Sequence, residues 1–178
     1  MPKLAACTII SKNYLCFART LARSFRRHHP DIDFFVLLVD RIDGCFDPES
    51  EEFSLVRLDQ LDNLPDRQEL CFRYNVIELS TAAKPFLLEY LFRAYTLDRL
   101  LYIDPDIYVL RPLDAVYRML DDHEIVLTPH VTRPMPADDD VPHEITFLLH
   151  GVYNLGFIGL SGGAVSARFL PLLNFEWV

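Results

Sequence analysis

The chain has 178 residues, of which 51% are hydrophobic and 24% are charged, so it is long and apolar enough to fold as one domain with a sizeable core. Its formal net charge is −9, so the protein surface as a whole lacks the positive charge that binds nucleic acid. No apolar run approaches the roughly 18 residues that a membrane span requires. We therefore expect a soluble protein, with no nucleic-acid partner, that binds small molecules.

The four cysteines show neither a metal-binding nor a redox spacing. Cys7, Cys16, Cys45 and Cys71 form no C-x-x-C pair, and they lie mostly in apolar or helical patterns. Buried free thiols are common in such patterns. We therefore predict reduced, mostly buried cysteines and a cytoplasmic location.

The N-terminal part predicts a strand, a helix and a second strand. Residues 4–10 and 33–40 are near-continuous apolar runs of strand length, typical of strands that are buried on both faces of a parallel sheet. Between them, apolar residues three or four positions apart predict an amphipathic helix that Asn13 caps. This alternation indicates an α/β fold.

The alternation continues through the rest of the chain. Residues 53–59 predict a third strand, and residues 78–95 predict a buried helix with Pro85 in or just before its first turn. Residues 132–143 are rich in proline and aspartate and predict a long loop. Three further strands are predicted, at residues 99–104, 124–131 and 153–161. The pattern favours a mostly parallel, Rossmann-like sheet that is flanked by helices.

Two aspartates, Asp104 and Asp106, come at the end of a predicted strand with Pro105 between them. In an extended chain, residues two apart point to the same side, and a proline disfavours helical geometry in the residue before it. Two adjacent carboxylates repel unless a cation offsets their charge, and oxygen ligands suit Mg²⁺ or Mn²⁺. The motif therefore predicts a metal and phosphate site at the end of a strand, where open α/β sheets bind ligands. The alternative is a simple turn.

The chain resembles nucleotide-sugar glycosyltransferases of the GT-A fold, in particular the glycosyltransferase family 8-like group. The resemblance extends over nearly the whole chain and is carried by five stretches in order: TIISKNYLCFARTLARSF, FFVLLVD, ELSTAAKPFLLEYLF, LLYIDPDIYVLRPL and GVYNLGFIGL. It implies metal-dependent transfer of a sugar, with retention, from a UDP-type nucleotide-diphosphate donor to a glycan or lipid-linked glycan acceptor. It also implies a setting in surface polysaccharide synthesis, with peripheral membrane contact left open.

The resemblance assigns roles to individual residues. Asp104 and Asp106 would hold Mn²⁺ (or Mg²⁺) against the donor diphosphate, with Asp104 also in contact with the donor. Lys84, beside the predicted helix start, would reach the donor phosphate or sugar together with free backbone N–H groups, with a solvated lysine as the structural alternative. Asn154 would contact the transferred sugar as the catalytic residue, although an asparagine at a bulge would have the same pattern. The nucleoside pocket would be lined by Thr8, Lys12 and Asn13, for which a buried threonine and an ordinary helix cap are the structural alternatives.

The last part of the family pattern is not matched. The resemblance implies a metal-binding histidine near the C-terminal end, and no histidine follows His150 in this sequence. We divide the predicted single domain, residues 1–178, into a nucleotide- and metal-binding half (residues 1–110) and the start of a sugar- and acceptor-binding half (residues 111–178). A truncated product, a pseudo-enzyme and a half that another chain completes remain open, so poor turnover is expected of the isolated chain.

Haloacid-dehalogenase-like phosphatases also place Asp-x-Asp at the end of an apolar strand, where the first aspartate is a nucleophile. Those enzymes need a later lysine, and no lysine follows Lys84 here. A proline also occupies the turn between the two carboxylates. We therefore favour the transferase over the phosphatase.

Overall fold

The computed structural model describes residues 2–44, 46–135, 144–163 and 168–170. Its strands are, in chain order, β1 (Leu4–Ile10), β2 (Asp33–Leu38), β3 (Ser54–Arg57), β4 (Arg99–Ile103), β5 (Ile125–Pro129) and β6 (Tyr153–Ser161). Its helices are α1 (Leu15–Arg26), α2 (Arg67–Arg73), α3 (Val76–Tyr95), α4 (Asp114–Asp122) and α5 (Glu144–His150). Along the described chain, strands and helices alternate as the sequence pattern predicts, except that only a 3₁₀ turn lies between β2 and β3 and that α3 follows α2 with no strand between them.

The six strands form a single sheet in the order β3-β2-β1-β4-β6-β5. The first four of these are parallel, β6 is antiparallel to β4, and β5 is antiparallel to β6. The predicted mostly parallel α/β sheet is thus confirmed. Cys7 of β1 pairs with Tyr102 of β4, and both strands run the same way. The residues that follow β1 and β4 therefore lie side by side at one edge of the sheet.

Side chains of β1 alternate between two apolar layers, one on each face of the sheet. Cys7 and Ile9 belong to the layer that contains α3, and Ala6 and Ile10 belong to the layer that contains α1 and α4. Each fully buried leucine or phenylalanine in these layers contributes about 1.5–3 kcal/mol to the stability of the fold. Burial on both faces is the reason why the strands read as continuous apolar runs.

Helix α3 begins at Val76, so the predicted start at residue 78 is nearly right, but Pro85 lies in the helix interior and not in the first turn. Asn75 caps the helix, because its Oδ1 accepts hydrogen bonds from the N–H groups of Ile77 and Glu78. The Glu78 side chain bonds in return to the Asn75 N–H and completes a capping box. This strong cap sets the start of the helix upstream of the proline, and Pro85 removes one internal hydrogen bond.

The prediction that Asn13 caps α1 is wrong. A short 3₁₀ turn, Lys12–Tyr14, precedes the helix, and Tyr14 occupies the cap position without a side-chain hydrogen bond. The Oδ1 of Asn13 accepts a hydrogen bond from the Ser11 hydroxyl instead. The tight turn places Asn13 inside the 3₁₀ segment, where it cannot reach the orphan N–H groups of α1.

The cysteine prediction is correct for only part of the chain. Cys7 is buried in the sheet, whereas Cys16 on α1 and Cys71 on α2 are exposed, which contradicts mostly buried cysteines. Cys45 lies outside the described residues.

The predicted loop at residues 132–143 is described only as far as residue 135, where the chain forms neither helix nor strand; residues 136–143 lie outside the described part. Helix α5 follows this segment. Within the described ranges, no helix combines the length and the apolar character that crossing a bilayer requires.

Candidate functional site

A cavity of about 250 Å³ opens at the carboxyl ends of β1 and β4. Its walls come from the end of β1 and the turn that follows, from the first half of α3, and from the end of β4. Open α/β sheets bind ligands at this edge. The polar residues that line the cavity are Ser11, Tyr14, Ser80, Thr81, Lys84, Tyr102, Asp104 and Asp106.

The segment with the two aspartates is a turn and not an extension of β4. Strand β4 ends at Ile103, and the N–H of Ile107 donates to the carbonyl of Asp104 at 3.1 Å. Pro105 occupies the second position of this turn, which suits its fixed φ. The prediction that an extended chain aligns the two carboxylates is therefore wrong in its geometry. The turn nevertheless leaves both Asp104 and Asp106 in the cavity wall.

Asp104 is held by its backbone and by its carboxylate. Its N–H donates to the carbonyl of Gly156 at 2.8 Å, and its Oδ1 accepts a hydrogen bond of 2.7 Å from the Tyr102 hydroxyl. The Lys84 Nζ lies 4.0 Å from the same Oδ1. The side chain of Asp104 remains 40% exposed, so it is fixed in place and still accessible to a ligand.

Strand β6 is irregular opposite Asp104, and a glycine occupies the point of closest approach. The pairing of β5 with β6 shifts register between Leu127 and Thr128, which marks a bulge in this part of β6. A Cβ on Gly156 would lie only 2.7 Å from Asp104 Oδ2 and 2.8 Å from Asn154 Oδ1. A side chain at this position would therefore displace the Asp104 carboxylate or the Asn154 amide from where they lie against this strand.

Asn154 lies in the same irregular part of β6, exposed to solvent. Its Oδ1 accepts a hydrogen bond of 2.8 Å from the N–H of Gly156. This bond orients the amide, and its Nδ2 has no hydrogen-bond partner within the described part of the chain. Asn154, predicted to contact the sugar, thus has an oriented side chain next to Asp104 and an amide donor to which no described residue is bonded.

Lys84 is not beside the start of a helix, as predicted, but inside α3 and only 8% exposed. Its Nζ donates to the carbonyl of Leu155 at 2.9 Å and lies 4.0 Å from the centre of the Tyr102 ring. Burial lowers the pKa of Lys84, and the negative charge of Asp104 opposes that effect. The Leu155 carbonyl, the Tyr102 ring and the Asp104 carboxylate hold this ammonium at the cavity wall.

Tyr102 is a site residue that the motif analysis missed. It is 3% exposed, and burial followed by the charge of Asp104 raises its pKa well above the ordinary value of a tyrosine. Its hydroxyl therefore stays protonated and acts as a donor to Asp104 throughout the physiological range. The signal was present in the sequence, because Tyr102 precedes Asp104 by two residues at the end of a strand and so shares its side.

The three residues predicted to line the nucleoside pocket are not in the cavity wall. Thr8 is fully buried, and its hydroxyl has no hydrogen-bond partner in the described structure. The ammonium of Lys12 forms an ion pair of 2.6 Å with Asp43, and Asn13 is bonded to Ser11 in the 3₁₀ turn.

Two neighbours of these residues do line the cavity. Ser11 is buried at its edge, and Tyr14 is 42% exposed. A half-exposed aromatic ring offers a flat apolar face on which a nucleobase can stack. The sequence signal for this ring was that Tyr14 follows Lys12, a predicted loop residue, by two positions. The sequence alone is equally consistent with Tyr14 as part of a helix.

A divalent cation held by Asp104 and Asp106 would need further ligands. Within the described residues, no group of three histidine, cysteine or acidic side chains is positioned to hold a metal ion. Two carboxylates cannot form a closed structural site, but Mg²⁺ and Mn²⁺ often use one or two carboxylates and take their other ligands from water and substrate phosphates. Asp104 and Asp106, both in the cavity wall, are the residues that would hold such a metal, with a bound phosphate completing its coordination.

Comparison with known proteins gives information on the fold. No family model and no curated protein sequence matches the chain. The solved galactosyltransferase LgtC, in complex with donor and acceptor sugar analogs, is similar at 18% identity and a TM-score of 0.58, over 88% of this chain and 57% of LgtC.

Two further glycosyltransferases have similar structures. The bifunctional glycosyltransferase WbbM is 17% identical with a TM-score of 0.58, over 97% of this chain and 34% of WbbM. The glycosyltransferase GlyE of Streptococcus pneumoniae TIGR4 is 17% identical with a TM-score of 0.57, over 99% of this chain and 40% of GlyE. The chain spans less than two thirds of each of the three proteins. It has the GT-A fold of these glycosyltransferases.

Proposed function

We propose that the chain binds a nucleoside-diphosphate sugar, with UDP as the nucleotide, in the Asp104 cavity, and that it acts in the transfer of that sugar to a glycan or lipid-linked glycan. The observation that carries the proposal is the meeting of Asp104, Asp106 and Lys84 in one cavity at the edge of a GT-A sheet. Similarity to glycosyltransferases supports the same reaction class.

The charges in the cavity support a donor that arrives with a metal ion. Asp104 and Asp106 are both acidic, and one buried ammonium, Lys84, lies near them. A diphosphate alone would be repelled by the two carboxylates. A divalent cation between carboxylates and diphosphate removes this repulsion, and when bound it also offsets the charge that develops on the departing nucleoside diphosphate.

The protein's own groups then position the donor. Tyr102 holds one oxygen of Asp104, and Gly156 leaves room for the other. The Lys84 ammonium can exchange its bond to the Leu155 carbonyl for a phosphate oxygen without leaving the cavity wall. Each of these groups is in place before the ligand binds, which reduces the free-energy cost of ordering the site.

The sugar and the base would lie on opposite sides of the diphosphate. Asn154 presents a free amide N–H next to Asp104, suited to a sugar hydroxyl. Tyr14 offers its ring at the other end, where the turn after β1 lies. A cavity of about 250 Å³ is slightly smaller than typical ligand sites, so the ligand would extend beyond it towards both groups.

Titration of the chain with UDP-galactose and UDP-glucose in the presence of Mn²⁺, by calorimetry, tests the proposal. We expect saturable binding of at least one of them, and a loss of about tenfold or more in Lys84→Met, because a hydrogen bond to a charged group contributes about 1.5–3 kcal/mol. Lys3→Met removes an exposed lysine outside the cavity and serves as the control. If neither nucleotide sugar binds, or Lys84→Met binds as well as the unmodified chain, the proposal is wrong.

A further inference from the structure

A second cavity, of about 580 Å³, lies at the carboxyl ends of β2 and β3. We propose that it is a separate binding site for a small organic anion with an apolar body, such as a carboxylate or phosphate ester of a ring or hydrocarbon. Its volume falls in the range of about 300–1,000 Å³ that is usual for small-molecule sites. Its place at the edge of the sheet is where α/β folds bind ligands.

The floor of this cavity is apolar. Val39, Leu58 and Leu79, from three different segments, form it and are buried in the core. Ile42 and Tyr74 are partly buried and extend the apolar wall towards the rim. An apolar ligand body would therefore exchange water for hydrocarbon and aromatic surface, at about 25 cal/mol for each Å² that it buries.

The two acidic groups of the cavity already have partners. Both carboxylate oxygens of Asp40 accept the backbone N–H of Lys12 at 3.1 Å. The Oδ1 of Asp59 accepts a hydrogen bond of 3.0 Å from the Nε of Arg57. These contacts reduce the negative potential that the two carboxylates present to the cavity.

Two guanidinium groups of the rim, by contrast, have no polar partner in the part of the chain that the structure describes. Arg41 and Arg67 line the cavity, and neither has a hydrogen bond or an ion pair with another described residue. They come from two different segments, the loop after β2 and the first position of α2. Guanidinium groups bind carboxylates and phosphates through paired hydrogen bonds. A cationic rim over an apolar floor therefore selects an amphiphilic anion.

This site is distinct from the Asp104 cavity. Among the described lining residues, Val76 alone is common to both, at the first position of α3. Asp104, Asp106 and Lys84 line only the smaller cavity. The proposed anion site therefore does not depend on metal or nucleotide binding.

Cys71 provides a direct reporter, because its exposed thiol lines the cavity. The intact chain would be alkylated with N-ethylmaleimide in the presence and absence of phenyl phosphate, which is the probe ligand. Peptide mass spectrometry would give the rate of modification of each cysteine. We expect bound probe to slow modification of Cys71 about tenfold at nine-tenths occupancy. Cys16, which is exposed on α1 outside the cavity, is the internal control and keeps its rate.

The variants and ligand controls decide the outcome. Protection should disappear in Arg41→Gln/Arg67→Gln and persist in Arg111→Gln, an exposed arginine elsewhere, and in Asp104→Asn. Circular dichroism would verify that each variant folds. Absence of Cys71 protection, equal slowing of Cys16, or protection that survives the double substitution would overturn the site; equal protection by inorganic phosphate would overturn the apolar component.

Discussion

The hydroxyl of Tyr102 and the carboxylate of Asp104 are joined by a hydrogen bond of 2.7 Å at the end of β4. The same tyrosine ring lies under the ammonium of Lys84 at 4.0 Å. One buried aromatic side chain thus orients both the acidic and the basic group of the proposed donor site. Tyr102 is a positioning residue, because it acts through its neighbours.

Tyr102→Phe should weaken metal-dependent UDP binding about three- to tenfold and leave the folded structure intact. The substitution removes a hydrogen bond to a carboxylate that solvent can partly replace, so we expect an effect near 1 kcal/mol. Calorimetric titration of UDP with Mn²⁺ measures it. Tyr117→Phe, which removes another buried tyrosine hydroxyl, bonded to the carbonyl of Ala5, is the matched control. Equal affinities of Tyr102→Phe and the unmodified chain would show that Asp104 needs no such support.

Gly156→Ala should abolish UDP binding with Mn²⁺ by displacing Asp104. A methyl group at this position would lie 2.7 Å from Asp104 Oδ2, which forces the carboxylate or the strand to move. Overpacking of this kind costs about 1–3 kcal/mol of stability, so urea unfolding should be measured alongside affinity.

Gly159→Ala is the control for Gly156→Ala. It adds a methyl group to the same strand against Leu101 and Leu120 side chains and not against the site. It should lower stability and keep affinity for UDP. The interpretation fails if Gly156→Ala folds and binds UDP as the unmodified chain does.

Asn154→Ala should weaken binding of the UDP-sugar without weakening binding of UDP. Its free amide donor lies beside Asp104, so its removal should lower affinity for the UDP-sugar that binds the unmodified chain by about 0.5–1.5 kcal/mol and leave affinity for UDP unchanged. Parallel titrations with the two ligands give the comparison. An equal loss for UDP and the UDP-sugar would mean that Asn154 supports the strand and does not contact the sugar.

His29, which lies outside the Asp104 cavity, should make the free energy of unfolding depend on pH. It is 4% exposed, its Nε2 accepts the N–H of Leu113 at 2.8 Å, and burial lowers its pKa, an effect that Asp114 opposes and His28 reinforces. The neutral ring is therefore favoured in the folded state. Its contribution is fully present above the unfolded pKa of about 6.5 and is lost as pH falls through the lower, folded pKa.

Urea unfolding between neutral pH and about pH 5 measures this loss. His29→Gln can keep an acceptor for Leu113 and has no titrating group, so its stability should depend less steeply on pH. His123→Gln, at the exposed C-terminal end of α4, should keep the steeper dependence. Identical slopes for His29→Gln and the unmodified chain would contradict the assignment.

The sequence predicts the strands of this fold well. Strands that are buried on both faces consist of nearly continuous apolar residues, as in residues 4–10 and 33–38. It predicts short or partly exposed elements poorly. Helix α2 has no fully buried residue, and α5 follows a segment whose composition indicates a loop, so neither produces a strong apolar period. Helix α4 is also absent from the predicted elements, because it is only nine residues long and buries only Tyr117 and Leu120.

The site was predicted in part for similar reasons. Asp104, Asp106 and Lys84 do meet in one cavity, but through a turn and a mid-helix position and not through the extended geometry that was predicted. Non-local pairs, such as Lys84 with Leu155 or Gly156 with Asp104, depend on the packing of α3 and β6 against β4. No periodicity within a single segment contains that information.

The most direct test of the account is calorimetric titration of UDP with and without Mn²⁺, for the unmodified chain, Asp104→Asn, Asp106→Asn and the exposed control Asp122→Asn. Because two carboxylates and a diphosphate must share one cation, the account predicts that Mn²⁺ strengthens UDP binding at least about tenfold in the unmodified chain and in Asp122→Asn. Asp104→Asn and Asp106→Asn should lose this enhancement. UDP binding that is the same with and without Mn²⁺, and the same in all four proteins, would contradict the proposed donor site.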